Sequence, residues 1–168
     1  MKKLICFILI VLVIVLVGKN NYYVIPDEAI RFRIIPNSNS VKDVVMKEKV
    51  QIEITDIIDD VKSDSIDESR KKIIENIDLI ERRIDRVFES NDYKMDYSVN
   101  YGINKFPKKV YKGVKYNEGE YESLVVSIGK GKGDNFWCVL YPPLCMIDES
   151  EEVKYKFKVI ELFNKLFS

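Results

Sequence analysis

Apolar residues change their spacing several times along this chain, and each change marks an element. Residues 4–17 are uninterrupted apolar behind Lys2 and Lys3, with no polar face of the kind a core helix keeps. GKNNYY then opens a polar stretch, residues 19–29, that reads as a tether. In AIRFRII the period becomes two: Ile30, Phe32 and Ile34 face one way, Arg31 and Arg33 the other. That alternation predicts a half-buried strand, and Pro36 with the NSNS run ends it.

The spacing turns helical after Ser40, whose partner Asp43 three residues on makes an N-cap signature. Val41, Val44, Val45, Val50, Ile54, Ile57, Ile58 and Val61 recur at helical intervals. A second helix opens at Ser65 with Glu68 as a capping box, and Ile66, Ile73, Ile77, Ile80, Ile84, Val87 and Phe88 mark one stripe.

Period two then returns. Met95, Tyr97, Val99 and Tyr101 alternate with polar residues, Leu124, Val126 and Ile128 share one face of YESLVVSIG, and FWCVLY reads as the next strand. In the tail, Val153, Phe157, Ile160 and Phe163 repeat as a helix would. The order β-α-α-β-β-β-α predicts one α+β domain over residues 30–168. It has a mostly antiparallel sheet of about four strands, with two long helices and a C-terminal helix packed on it.

Composition narrows the chemistry. The 168 residues suit a single domain, and 46% hydrophobic with 32% charged residues allows a folded core. Lys plus Arg equals Asp plus Glu at 27 each, so no excess positive charge favours nucleic acid. The chain has no histidine. Ser-His-Asp and Cys-His catalysis, histidine zinc sites and histidine pH switching are excluded together.

The N-terminal run has the charge and length of a signal peptide. VLVGKNN offers a poor cleavage site, so an uncleaved anchor within residues 1–18 is the other reading. Either way Lys2 and Lys3 orient the rest of the chain outside the cytoplasm.

GKGKG, residues 129–133, lacks the G-x-x-x-x-G-K-[ST] spacing of a phosphate loop and has no helical pattern after it. Between two strands its glycines predict a hairpin turn with positive φ. Glu118, Glu120 and Glu122 cluster near Gly119. A carboxylate pair there would suit glycoside hydrolysis, against the plainer reading of a solvated loop and strand edge. The aromatic residues Tyr97, Tyr101, Phe106, Tyr111, Tyr116, Tyr121, Phe136, Trp137 and Tyr141 divide between core and a protein- or glycan-binding surface.

Cys138 and Cys145 flank the Pro142-Pro143 pair. Two thiolates without histidine make at most half a metal site, and a catalytic cysteine would lack its base. An oxidising compartment and the Pro-Pro bend favour an intramolecular disulfide, which could stabilise by roughly 2–3 kcal/mol. Free buried thiols and an intermolecular bond stay open as alternatives.

NSNS after RFRIIP, then NYGINKFPKKVY, then NEGEYESLVVSIGKGKGDNFWCVLYPPLC resemble the stage II sporulation protein R family, over residues 30–145. The chain departs from the usual pattern at Phe136-Trp137, Asn117-Glu118-Gly119 and Tyr111-Lys112-Gly113. The resemblance implies a signal and not an enzyme. It would be exported from the forespore toward the space between forespore and mother cell. There it would trigger a membrane-embedded aspartic protease, from the extracytoplasmic face, to process the precursor of sigma-E. It implies no cofactor and no nucleic acid, with membrane association possible through the N-terminal segment. The receptor surface is expected over residues 106–121 and 137–145, with Phe106, Tyr111, Tyr121, Trp137, Tyr141, Pro142 and Pro143 as contact candidates. The reading from another class is a secreted cell-envelope glycan-binding module or carboxylate-dependent hydrolase.

Overall fold

A computed structural model describes residues 23–111 and 114–143. The order of elements is β1 (Tyr23–Val24), β2 (Ile30–Ile35), α1 (Val41–Asp60), α2 (Ile66–Ser90), β3 (Tyr97–Phe106), β4 (Lys109–Tyr111), β5 (Val114–Tyr116), β6 (Gly119–Ile128) and β7 (Phe136–Tyr141). Two compact units result. The smaller comprises Met1–Pro26 and Phe106–Gly119, the larger Asp27–Lys105 and Glu120–Ser168. The expected C-terminal helix lies outside the described residues.

In the larger unit four strands run in the order β3-β6-β2-β7. The sheet is mixed: β2 lies parallel to β6 and antiparallel to β7. The reading of residues 129–133 as a hairpin turn is therefore corrected, because β6 and β7 are not neighbours and β2 is inserted between them. The loop crosses the end of β2 instead. Its positive-φ glycines, Gly129 at 55° and Gly131 at 58°, serve that crossing.

Both helices bury their stripes on one face of this sheet. Val50, Ile54, Ile57, Ile58 and Val61 of α1 and its C-cap, with Ile73, Ile80, Ile84, Val87 and Phe88 of α2, share one core. Ile30, Phe32, Ile34, Leu124, Val126, Ile128, Phe136, Cys138 and Leu140 complete it from the strands. Each such aliphatic side chain contributes about 1.5–3 kcal/mol by leaving water.

The first turn of α1 departs from the predicted stripe. Val41 is 81% exposed, and the buried positions there are Asp43 and Met46. Asp43 is anchored by partners beneath it, and that contact sets which face of the first turn points inward.

Ser40 caps α1 by accepting from the Asp43 N–H at 3.2 Å. Ser65 caps α2 by accepting from the Glu68 N–H, but the reciprocal arm is replaced. Glu68 accepts from Ser63 Oγ at 2.6 Å, and the Ser65 N–H donates to that same hydroxyl. Arg83 of α2 ties the helices by donating to Glu53 at 3.0 Å and Asp56 at 3.2 Å of α1.

The smaller unit is a three-stranded sheet in the order β1-β5-β4, with β1 parallel and β4 antiparallel to β5. β1 falls within the stretch read as a tether. Ile25, Phe106, Val114 and Tyr116 are buried.

Candidate functional site

The two motifs richest in small polar residues, NSNS and GKGKGD, are each other's partners. The Asn37 side-chain oxygen accepts from the Lys130 N–H at 3.0 Å, and its carbonyl accepts from the Lys132 N–H at 3.2 Å. Pro36 O accepts from the Gly133 N–H at 3.0 Å, and Asn39 Oδ1 from the Asp134 N–H at 2.6 Å. Glycine is required where the strands of this seam touch. A Cβ on Gly129 would lie 2.5 Å from Asn37 Oδ1, and one on Gly133 would overlap the Ser38 carbonyl.

Beneath the seam sits Asp43, 6% exposed. One carboxylate oxygen accepts from Asn37 Nδ2 at 2.8 Å and Ser38 Oγ at 2.5 Å, the other from the Tyr93 hydroxyl at 2.7 Å. These donors, Ser38 and Tyr93 foremost, hold its pKa down to about 2 against the opposing cost of burial. The same contact and burial push the Tyr93 hydroxyl well up, burial being the larger cause.

On the sheet face opposite the helices, Arg31 is fully buried, which corrects the half-buried strand expected for β2. Its guanidinium carbon stacks 3.2 Å from the centroid of the Tyr121 ring. Cross-strand register places Arg31 beside Ser123 and Val139, and Arg33 beside Val125 and Trp137. Arg33 donates to the Lys105 carbonyl at 3.0 Å and lies 5.9 Å from the Trp137 ring. Burial lowers its pKa. Asn104 donates to the Ser123 hydroxyl at 3.1 Å.

Of the contact candidates, Trp137 is 6% exposed, Tyr121 8% and Phe106 2%. These three form the frame of their units and do not stand out as surface anchors. Tyr111, Tyr141 and Pro142 are half-buried, and Pro143 is exposed. The Tyr141-Pro142 peptide bond is cis. Phe106 and Tyr111 belong to the smaller unit, and Tyr121, Trp137, Tyr141, Pro142 and Pro143 to the larger. Cys138 is buried on β7, facing the helices; Cys145 lies outside the described residues.

The glutamate cluster does not converge. Glu122 is held by Arg70, which donates from Nε at 3.0 Å and Nη2 at 2.8 Å, and by the Tyr101 hydroxyl. The arginine foremost lowers its pKa, against desolvation. Burial, with Glu122 second, raises that of Tyr101. Glu118 and Glu120 are exposed.

Sequence reasoning missed Arg31, Asp43 and Tyr93 as organising residues. Asp43 had a signal in its cap position, but a carboxylate in a first helical turn ordinarily reads as solvated.

The geometry defines a mixed α/β scaffold whose described polar clusters are taken up in its own framework. The profile of the stage II sporulation protein R family matches residues 26–151. The chain is 38% identical over 137 residues to the protein named stage II sporulation protein R in Bacillus subtilis (strain 168). That alignment covers 79% of this chain and 60% of the relative, so the chain spans about three fifths of that relative's length. No solved structure matches. The chain belongs to the stage II sporulation protein R family.

Proposed function

We propose that this protein is an exported sporulation signal. It acts from the space between forespore and mother cell on the extracytoplasmic face of a membrane-embedded aspartic protease, and so starts processing of the sigma-E precursor. Family membership over residues 26–151 carries the reading. It is supported by the fate of the polar side chains: Asp43 and Glu122 are consumed by structural partners, as suits a ligand more than a catalyst. Export is supported by Lys2, Lys3 and the apolar run of residues 4–17. A ligand of this kind activates by binding the protease's active state more tightly than its inactive one.

Of the seven contact candidates, Tyr111, Tyr141, Pro142 and Pro143 retain exposed surface for a partner, whereas Phe106, Tyr121 and Trp137 are buried. We read Cys145 as the disulfide partner of Cys138. The pairing draws support from the Pro142-Pro143 pair between the two cysteines and from the oxidising compartment that export would provide.

The test is a blot for the sigma-E precursor in sporulating cells that lack the gene, and in cells given back a copy expressed only in the forespore. Accumulated precursor in the deletion, processed again with the copy, is the expected result. Normal processing without the protein would remove the signalling role.

A further inference from the structure

Charge is balanced over the chain at 27 against 27, but not over its units. Among the described residues the smaller unit holds one carboxylate, Glu118, against Lys108, Lys109 and Lys115. No Asp or Glu occurs between Asp96 and Glu118. The lysines are interleaved with apolar residues on a short hairpin whose outer strand, β4, is a sheet edge. Pro107, Lys108, Lys109 and Val110 are exposed there, Val110 at 45%. Val110 lies opposite Lys115 in the register, so an apolar side chain and a cation share one face.

Topology fixes where this hairpin stands relative to the N-terminal run. β5 pairs with β1, Tyr23 beside Val114 and Val24 beside Lys115. The apolar run ends at Val17, so at full extension β1 begins no more than about 20 Å beyond it. A bilayer that holds residues 4–17 therefore has the basic hairpin within reach of its surface.

We propose that the β4–β5 hairpin is a membrane-docking surface for anionic lipid headgroups. Lys115 shares a face with Val110, which supplies a shallow apolar contact, and the exposed Lys108 and Lys109 add charge along the edge strand. The inference rests on the reading of residues 4–17 as a membrane-inserted segment. Each lysine close to an anionic surface is worth about fivefold in binding, so the three give on the order of a hundredfold. That attraction falls off within a Debye length and weakens with salt.

The test uses the full chain in nanodiscs of phosphatidylcholine, or of phosphatidylcholine with phosphatidylglycerol, and reads amide hydrogen exchange over residues 106–116. We expect exchange at least about tenfold slower in the anionic discs, restored by 0.5 M salt and by the triple substitution K108E/K109E/K115E, with α2 unchanged throughout. Equal exchange in both discs overturns the proposal, as does slowing that survives the triple substitution. Protection that appears only when the sporulation protease is added assigns the hairpin to a protein partner and also overturns it. Failure of the chain to stay with either disc would instead refute membrane insertion of residues 4–17.

Discussion

Replacing Asp43 by Asn removes one charge from a buried cluster and leaves its shape almost intact. The carboxylate accepts from Asn37, Ser38 and Tyr93. An amide can keep its oxygen toward Asn37 and Ser38 and turn its NH₂ to the Tyr93 hydroxyl, so the loss is mainly charge assistance. The folded pKa of about 2 lies below the ordinary carboxylate value of 3.8. That gap corresponds to about 2 kcal/mol of folding stability. Because the folded value is depressed, this stability is fully present above about pH 4 and is lost as pH falls toward 2. Trp137 is the chain's single tryptophan and is buried, so its emission reports unfolding directly. Urea titrations should place D43N about 2 kcal/mol below the parent at pH 7, with the two converging between pH 4 and pH 2. A gap that stays constant over that range would show that the substitution acts through packing and not through the charge.

Gly129→Ala combines positive φ with overlap on Asn37, and Gly133→Ala overlaps the Ser38 carbonyl. Each should cost about 2 kcal/mol or more in thermal or urea unfolding. Ile80→Ala, fully buried between α2 and the sheet, should cost about 2–5 kcal/mol in the same assay. Tyr121→Leu removes the ring beneath the buried Arg31 guanidinium and should destabilise by about 1–2 kcal/mol in the same assay. Alkylation of the protein as isolated from sporulating cells without reductant, followed by mass spectrometry, should find Cys138 and Cys145 blocked and joined; labelling of both would refute their pairing.

The stripe of α2 was legible because Ile73, Ile80, Ile84 and Val87 return at the helical period and Ser65 announces the start. Leu124, Val126 and Ile128 were legible as one strand face for the corresponding reason at period two. Partner choice was not legible. Nothing local in AIRFRII says that it inserts between β6 and β7, because pairing depends on what the whole chain can assemble. Arg31 misled for a related reason: a cation alternating with apolar residues reads as solvent-facing until Tyr121 arrives from a distant strand to cover it. β4 and β5 are three residues each, too short for alternation to register. At the contact surface, composition identified the aromatics but not their depth. Bulk and β-propensity suit Trp137 to either side of a strand, and only packing put it inside.

The inserted strand has a bearing on timing. Arg31 leaves the ribosome or a translocon long before Ser123 and Val139, the residues it pairs with on either side. Until both have emerged, β2 is a hydrophobic strand with two vacant edges and a cation without its aromatic cover. Because β6 and β7 follow each other directly, both edges fill within a short final stretch of synthesis or export. A chain stalled before β6 therefore holds no part of the finished sheet centre, and the sheet closes around β2 only once β7 has been delivered.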